Sequence, residues 1–360
     1  MSPASDPARS KIGLVVSCQA PVGTSLAGYA DSEIRIVHAA RDAGWDSIWA
    51  THHYLPDVMQ LLQPAPWLAR LITETGDMEL GTGILILPLL NPMDVAETYG
   101  SIDVLSGGRL ILGVGLGYRP EEFAAFGVDL TGRVGLLRTK LTILKELWEA
   151  RAGGVSAAEP SIALTDAMVA ARPVRRPRPP ILIGANKEVA IRRAARIGDG
   201  WLISPFTPHA KLQAQLSMFR EARAAAGLAE GQLVLGREIY CAPSDERAVE
   251  VARRYLGDKY SAYASWRGSS TTSHRDDFGS FAEGRFVLGS PETCVAALSP
   301  YVRSGIRHFK FRTRWVGMSE ADAIASVRLL SDEVLPQLRR LIADQAAETA
   351  PAADLSGSRP

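Results

Sequence analysis

The stretch ELGTGILILPLLNPMDVAETYGSIDVLSGGRLILGVGLGYRPEEFAAFG, Glu79 to Gly127, decides the fold. Beyond Glu79 its first run is uncharged through Leu87 and rich in Ile and Leu, as a parallel strand covered on both faces is. Asn91 followed by Pro92 marks a capped helix start. That helix runs to about Leu105, where Ser106, Gly107 and Gly108 supply residues that tolerate positive φ. Arg109 to Val114 is a second apolar strand. At its exit Gly113, Gly115 and Gly117 remove three Cβ atoms where backbone can lie against a flat ligand. Strand, helix and strand together form a βαβ unit.

Working outward, the pattern repeats along the chain. Strand-sized runs fall at Lys11 to Ser17, Ser47 to Ala50, Glu79 to Leu87, Arg109 to Val114, Pro180 to Ile183, Gly200 to Ser204, Leu233 to Cys241 and Ile306 to Arg312, eight in all. Helical patterns separate them at Tyr29 to Ala43, Pro64 to Thr75, Pro92 to Leu105, Leu136 to Ala150, Lys187 to Ile197, Pro208 to Ala226, Glu246 to Tyr263 and Glu320 to Ile342. Eight alternating units imply parallel pairing with right-handed crossovers. They favour an α/β fold of the (β/α)8 TIM-barrel type over an open doubly wound sheet. One barrel domain is expected over residues 11–344, with insertions near 151–179 and 258–284 and disordered tails at 1–10 and 345–360.

Composition narrows the function. The 360 residues carry a net charge of +1 with acidic and basic residues interleaved, so no nucleic-acid footprint is expected and a small molecule is the natural substrate. The three cysteines, Cys18, Cys241 and Cys294, are far apart and suit neither a disulfide framework nor a zinc knuckle. No run approaches the roughly 20 apolar residues of a membrane span, and the first residues lack a signal-peptide core, so a cytoplasmic protein is expected.

In such a barrel the residues just after each strand carry the chemistry. His52 and His53 follow the second strand. Adjacent residues on an extended chain point oppositely, which excludes chelation of one metal. The pair reads either as a proton donor or acceptor at the mouth or as a hydrogen-bonded structural pair. Thr82, Gly83 and Ile84 place a glycine inside the third strand, from close packing or from a ligand against the backbone. GVGLGY, Gly113 to Tyr118, lacks the spacing of a dinucleotide fingerprint, and no P-loop, G-x-S-x-G or H-E-x-x-H motif is present. At Gly184, Ala185, Asn186 and Lys187 a strand turns into a helix, with Asn186 as its expected cap. Lysine in a first helical turn opposes the helix dipole unless an anion is bound there, so this turn reads as a phosphate site or as an ordinary capped helix. The 258–284 insertion holds Tyr260, Tyr263, Trp266, Phe278 and Phe281 and reads as a substrate cover or a dimer contact.

Taken in order, THHY, LGTGILILP, NPMDVAETYGSIDVLSGGRLILGVGLGYRPEEFAAFG, PPILIGANKEVAIRRAARIGDGW and VLGSPETCVAAL resemble the bacterial luciferase-like, flavin-dependent monooxygenase family over roughly Lys11 to Arg339. The resemblance implies a (β/α)8 barrel, a homodimer, and reduced FMN delivered by a separate flavin reductase. The expected reaction oxygenates a small, hydrophobic substrate with molecular oxygen. The alternatives are a deazaflavin-dependent hydride-transfer oxidoreductase on the same barrel and, from another class, a non-catalytic flavin-binding protein. Carried over by residue, the family's non-proline cis peptide falls on Gly83 and Ile84, and its catalytic histidines on His52 and His53, the first preferred. Its cofactor contacts fall on Thr82, Gly115, Gly117, Tyr118, Gly184, Ala185, Asn186 and Lys187. Thr51 stands where the family often has an acid, and Leu116 where luciferase has a phosphate-binding arginine, which leaves Lys187 to supply that charge. Arg312, Arg314 and Trp315, leaving the last strand, and Trp266 are expected at the substrate.

Overall fold

A computed structural model describes residues 10–57, 59–150, 153–159, 162–265 and 278–349. All eight expected runs form strands: β1 Lys11–Val15, β2 Ser47–Ala50, β3 Glu79–Thr82, β4 Leu110–Gly115, β5 Ile181–Ala185, β6 Gly200–Ile203, β7 Gln232–Cys241 and β8 His308–Arg312. They pair in parallel in chain order. The circle closes where β8 meets β1, with His308 beside Lys11. This is a (β/α)8 barrel with helices outside. No described helix is long and apolar enough to cross a membrane.

The barrel interior explains several glycines. Val15, Trp49, Ile111, Leu182, Leu202 and Val234 face inward and pack together, with Ile84 resting on them. Trp49 is fully buried. It fits because its neighbours lack side chains: a Cβ on Gly81 would stand 2.3 Å from its Cε3, and one on Gly13 2.6 Å from its Nε1. Its Nε1 donates to Ser47 Oγ at 2.9 Å, so the ring cannot simply swing aside. Outside the barrel, α1 Leu26–Asp42, α2 Pro64–Leu71, α3 Pro92–Leu105, α4 Pro120–Ala125, α5 Arg133–Glu149 and α6 Glu188–Ile197 cover the first strands. Asn91 caps α3 as expected, its Oδ1 accepting from the Met93 amide at 2.8 Å. Gly107 and Gly108 end the helix at φ of 69° and 86°.

The insertions differ from expectation. Within 151–179 an antiparallel hairpin pairs Val155–Glu159 with Ile162–Ala167. The rest is tied to α3: Glu97 accepts from the Ala170 and Ala171 amides, and buried Asp103 from those of Val174 and Arg175. These bonds make it a brace on the helix layer. The second insertion begins later than expected, because α7 His209–Ala224 and β7 are followed by α8 Asp245–Ser265, which continues through Tyr260. Residues 266–277, including Trp266, lie outside the described residues. α9 Phe278–Ala282 follows, then α10 Pro291–Arg303, which begins at a Ser290 cap absent from the sequence expectations. After α11 Glu320–Leu329 and a π-helical turn, α12 runs from Leu335 to Thr349, five residues into the expected C-terminal tail.

Two glycine substitutions separate packing from propensity. Gly81→Ala, meeting the Trp49 ring, is expected to destabilise the protein by about 2–3 kcal/mol. Gly135→Ala on exposed α5, where a Cβ meets nothing within 4 Å, is expected to stabilise it by roughly 0.5–1 kcal/mol. Denaturant titration of both variants checks the pair.

Candidate functional site

The site is built around a break in the β3–β4 ladder. Leu80 and Gly81 pair with Leu110 and Ile111, and pairing resumes only at Leu85 with Val114. Across the gap Thr82 substitutes its side chain for backbone. Its Oγ1 donates to the Gly113 carbonyl at 2.8 Å and accepts from the Gly113 amide at 2.9 Å. The chain between them bulges into the mouth, and the Gly83–Ile84 peptide within it is cis. The glycines at the strand exits serve this bulge. A Cβ on Gly113 would lie 2.0 Å from the Thr82 carbonyl, and Cβ atoms on Gly115 and Gly184 would each lie 2.9 Å from Ile84 side-chain carbons. At Gly113 and Gly115, two of the three glycines read from sequence as leaving backbone open to a flat ligand, a Cβ would meet the protein itself. Gly117, at φ +71°, faces Ile86 and Phe123 and turns the chain toward α4.

The two histidines have different environments. His52 is buried, and its Nδ1 accepts from the Ile86 amide at 3.0 Å, which assigns the proton to Nε2. Burial, reinforced by neighbouring His53, pushes its pKa down to about 3. It is an uncharged donor at neutral pH. His53 instead places Nδ1 3.0 Å from Glu122 Oε1, and the same oxygen accepts from the Tyr54 amide at 2.8 Å. Glu122 is fully buried in the first turn of α4, with Arg119 Nη1 3.9 Å from its Oε1. Arg119 also ties the Tyr54 and Leu55 carbonyls. The acid absent at Thr51 thus arrives from a different element, and it serves His53 rather than His52. A carboxylate on one ring nitrogen fixes the tautomer and orientation of an imidazole. Of the two, His53 has the carboxylate partner, whereas His52, the one preferred from sequence, has a backbone amide. Tyr118 lies edge-on to His53 with ring centres 6.0 Å apart.

Across the mouth, the β5–α6 turn carries Gly184 to Lys187. Lys187, not Asn186, occupies the cap position of α6, and no side chain caps the helix. The Ala185 carbonyl accepts from Trp201 Nε1 at 2.9 Å, and Asn186 and Lys187 are exposed. First-turn amides without a side-chain acceptor suit a phosphate. At the β8 exit Arg312 Nη1 donates to Ser17 Oγ at 2.7 Å and Gln19 Oε1 at 3.1 Å, and its Nε lies 3.7 Å from Glu238 Oε1. Glu238 also accepts from Tyr260 Oη at 2.7 Å and Trp315 Nε1 at 2.6 Å. Arg312 and Trp315 therefore share one buried polar network. Arg314 does not join it: its Nη1 bonds Glu33 Oε1 at 3.0 Å and its guanidinium lies 3.9 Å from the Tyr29 ring centre. That ion pair fastens the segment after β8 to α1.

Sequence reasoning missed Glu122, Glu238 and Lys310. The last is buried on the inner face of β8, beside Gly83 and over the Trp49 ring. Its signal was present in HFKFR, where polar residues alternate with Phe309 and Phe311 although both faces of a barrel strand are covered.

The family model described as luciferase-like monooxygenase matches residues 10–308. The chain belongs to that family. Among curated relatives, an F420-dependent glucose-6-phosphate dehydrogenase of Amycolatopsis mediterranei is 26% identical over 328 residues, covering 84% of this chain and 92% of that protein. The oxygenase component of a flavin-dependent trigonelline monooxygenase of Acinetobacter baylyi is 22% identical, covering 85% and 89%. A solved monooxygenase from Streptomyces bottropensis superposes with a TM-score of 0.82 at 21% identity over 91% of this chain and 99% of that one, a likeness of fold. The family's relatives are oxidoreductases that use either cofactor class, and this chain is an enzyme of that kind.

The histidines give a direct test. In histidine-selective NMR, His52 is expected to stay neutral, with its proton on Nε2, from pH 8 to pH 5. Because its folded pKa of about 3 lies below the unfolded value of ~6.5, it contributes stability above that value that is lost as pH falls toward 3. A titration of His52 between pH 5 and 7 contradicts the assignment.

Proposed function

We propose that this enzyme is a deazaflavin-dependent oxidoreductase that interconverts a small hydroxyl-bearing substrate and its carbonyl, with His53 as the proton acceptor. The observation that supports it is the buried Glu122 carboxylate on His53 Nδ1 at 3.0 Å. Oxidising a hydroxyl requires a base for its proton as the carbon is oxidised, and a carboxylate-held imidazole at the mouth meets that need. When bound, such a cofactor supplies two-electron redox chemistry that no side chain provides.

The residues fit the cofactor on two counts. The uncapped α6 amides with Lys187 suit its phosphate. The Gly83–Ile84 bulge offers a face beside His53's strand exit for a flat ring, with Thr82 fixing the bulge. His52, uncharged and held by the Ile86 amide, orients and does not shuttle protons. Tyr260, Phe206, Phe286 and Phe278 pack at the β6–β7 side and help exclude water.

A second reading keeps the expectation drawn from sequence: oxygenation of a small hydrophobic substrate using reduced FMN from a separate flavin reductase. It is favoured by the apolar wall of Ile86, Leu89 and Phe123, with Tyr54, Ile84, Val128 and Leu130 against it, which lies beside the histidines. Dryness of that kind protects oxygen chemistry.

Anaerobic titration with the oxidised deazaflavin and a panel of small alcohols distinguishes them. Cofactor bleaching without oxygen is expected, and His53→Ala is expected to slow it about 10²–10⁴-fold with cofactor affinity nearly unchanged. Oxygen uptake with reduced FMN and no anaerobic bleaching transfers the assignment to the second reading. Binding of neither cofactor contradicts both.

A further inference from the structure

Lys310 is used by neither reading above, yet it occupies the centre of the barrel. It is 7% exposed, and among the described residues its ammonium has one acceptor, the Gly83 carbonyl at 3.5 Å, at the long edge of hydrogen bonding. The rest of its surroundings offer little. The Trp49 ring centre lies 5.4 Å from Nζ, and a Cβ on Gly236 would be 3.3 Å from its Cε. An ammonium carries three donors, so this group is buried and under-partnered.

The charged groups around it are Arg312 and His308 on its own strand and Glu238 on β7. Gly13 stands beside it on β1, Trp49 on β2 and Gly83 just past the end of β3, none of which ionises in the working range. His308 is neutral, pushed down to about 3 by burial. Glu238 is engaged by Tyr260, Trp315 and Arg312. Lys310 and Arg312 thus share one committed carboxylate, with the Lys310 Nζ set against Gly83. Burial, with the Arg312 charge beside it, pushes the Lys310 amine down to about 7. A buried cation with so few partners is costly unless an anion completes it.

We propose that Lys310 and Arg312 form an anion subsite at the floor of the mouth and that the substrate carries a carboxylate or phosphate group that docks there. This deepens the reading of a small hydroxyl-bearing substrate and rests on it. The phosphate of the cofactor belongs to the separate α6 turn, on the β5 side of the barrel.

The test is calorimetric titration of the cofactor-free, full-length protein with glycolate and with inorganic phosphate, ethylene glycol serving as the neutral control. Saturable one-to-one binding of at least one anion is expected, and the tighter of the two identifies carboxylate or phosphate as the docking group. Because an anion favours the charged amine, glycolate binding takes up a proton above pH 7. It is expected to weaken roughly 20-fold from pH 6.5 to pH 8.5. Lys310→Met is expected to lose at least about tenfold in anion affinity while its melting temperature rises at pH 6.5, since a buried charge is removed. A purely structural lysine would lower it. Lys310→Gln provides the same binding comparison if the Met variant does not accumulate. Absence of anion binding, unchanged binding in the variants, or displacement of the anion by FMN or the deazaflavin overturns the subsite. The cofactor titration, unaffected by that result, tests the redox reading separately.

Discussion

The Thr82 hydroxyl bridging both backbone groups of Gly113 is the contact on which the site depends. A ladder broken inside a barrel leaves a buried amide and carbonyl, each costly without a partner. Thr82 satisfies both with one side chain, which lets the chain part from β4 for three residues, Thr82 and the Gly83 amide still bonded to Ala50 of β2, and rejoin it at Leu85. The detour puts the Gly83–Ile84 peptide into the mouth, seats Ile84 against Gly115 and Gly184, and brings the Gly83 carbonyl over Lys310. Gly117 then turns the chain into α4, and α4 delivers Glu122 to His53. One hydroxyl thereby links the shape of the mouth to its acid–base group.

The mouth divides into sectors of different character. On the β2–β4 side an apolar wall surrounds one neutral and one carboxylate-held imidazole. On the β7–β1 side a buried polar network joins Arg312, Glu238, Tyr260, Trp315, Ser17 and Gln19. An uncapped helix start stands at β5. Such a division suits a site that must hold a flat cofactor, a reacting carbon and a polar handle at once, because each needs a different local dielectric.

The fold was largely legible because strands covered on both faces, such as β4 and β5, read as continuous apolar runs, β8 with its alternating His308, Lys310 and Arg312 being an exception. The strands' order along the chain matched their order around the barrel. Helix ends were legible where a cap is local, as at Asn91 and Gly107, and less so at α6, where the cap position fell one residue beyond Asn186. The site was half legible. The positions of His52, His53 and the bulge followed from motif, but the choice between the histidines depends on Glu122, which lies 69 residues from His53 and is brought in by tertiary structure alone. Arg312 and Arg314, two residues apart, take different hydrogen-bond partners, Ser17 and Gln19 for the first and Glu33 for the second, although both charges act on Glu33. Arg314 lies beyond β8, which ends at Arg312, so strand alternation does not choose its partner.

The most direct test of this account is a crystal structure of the enzyme with oxidised deazaflavin or FMN bound. The account predicts the ring against the Gly83–Ile84 bulge, its redox-active edge within reach of a substrate that touches His53, and its phosphate on the amides that begin α6. A ring bound elsewhere, or one that leaves His53 sealed away from the substrate space, would contradict it.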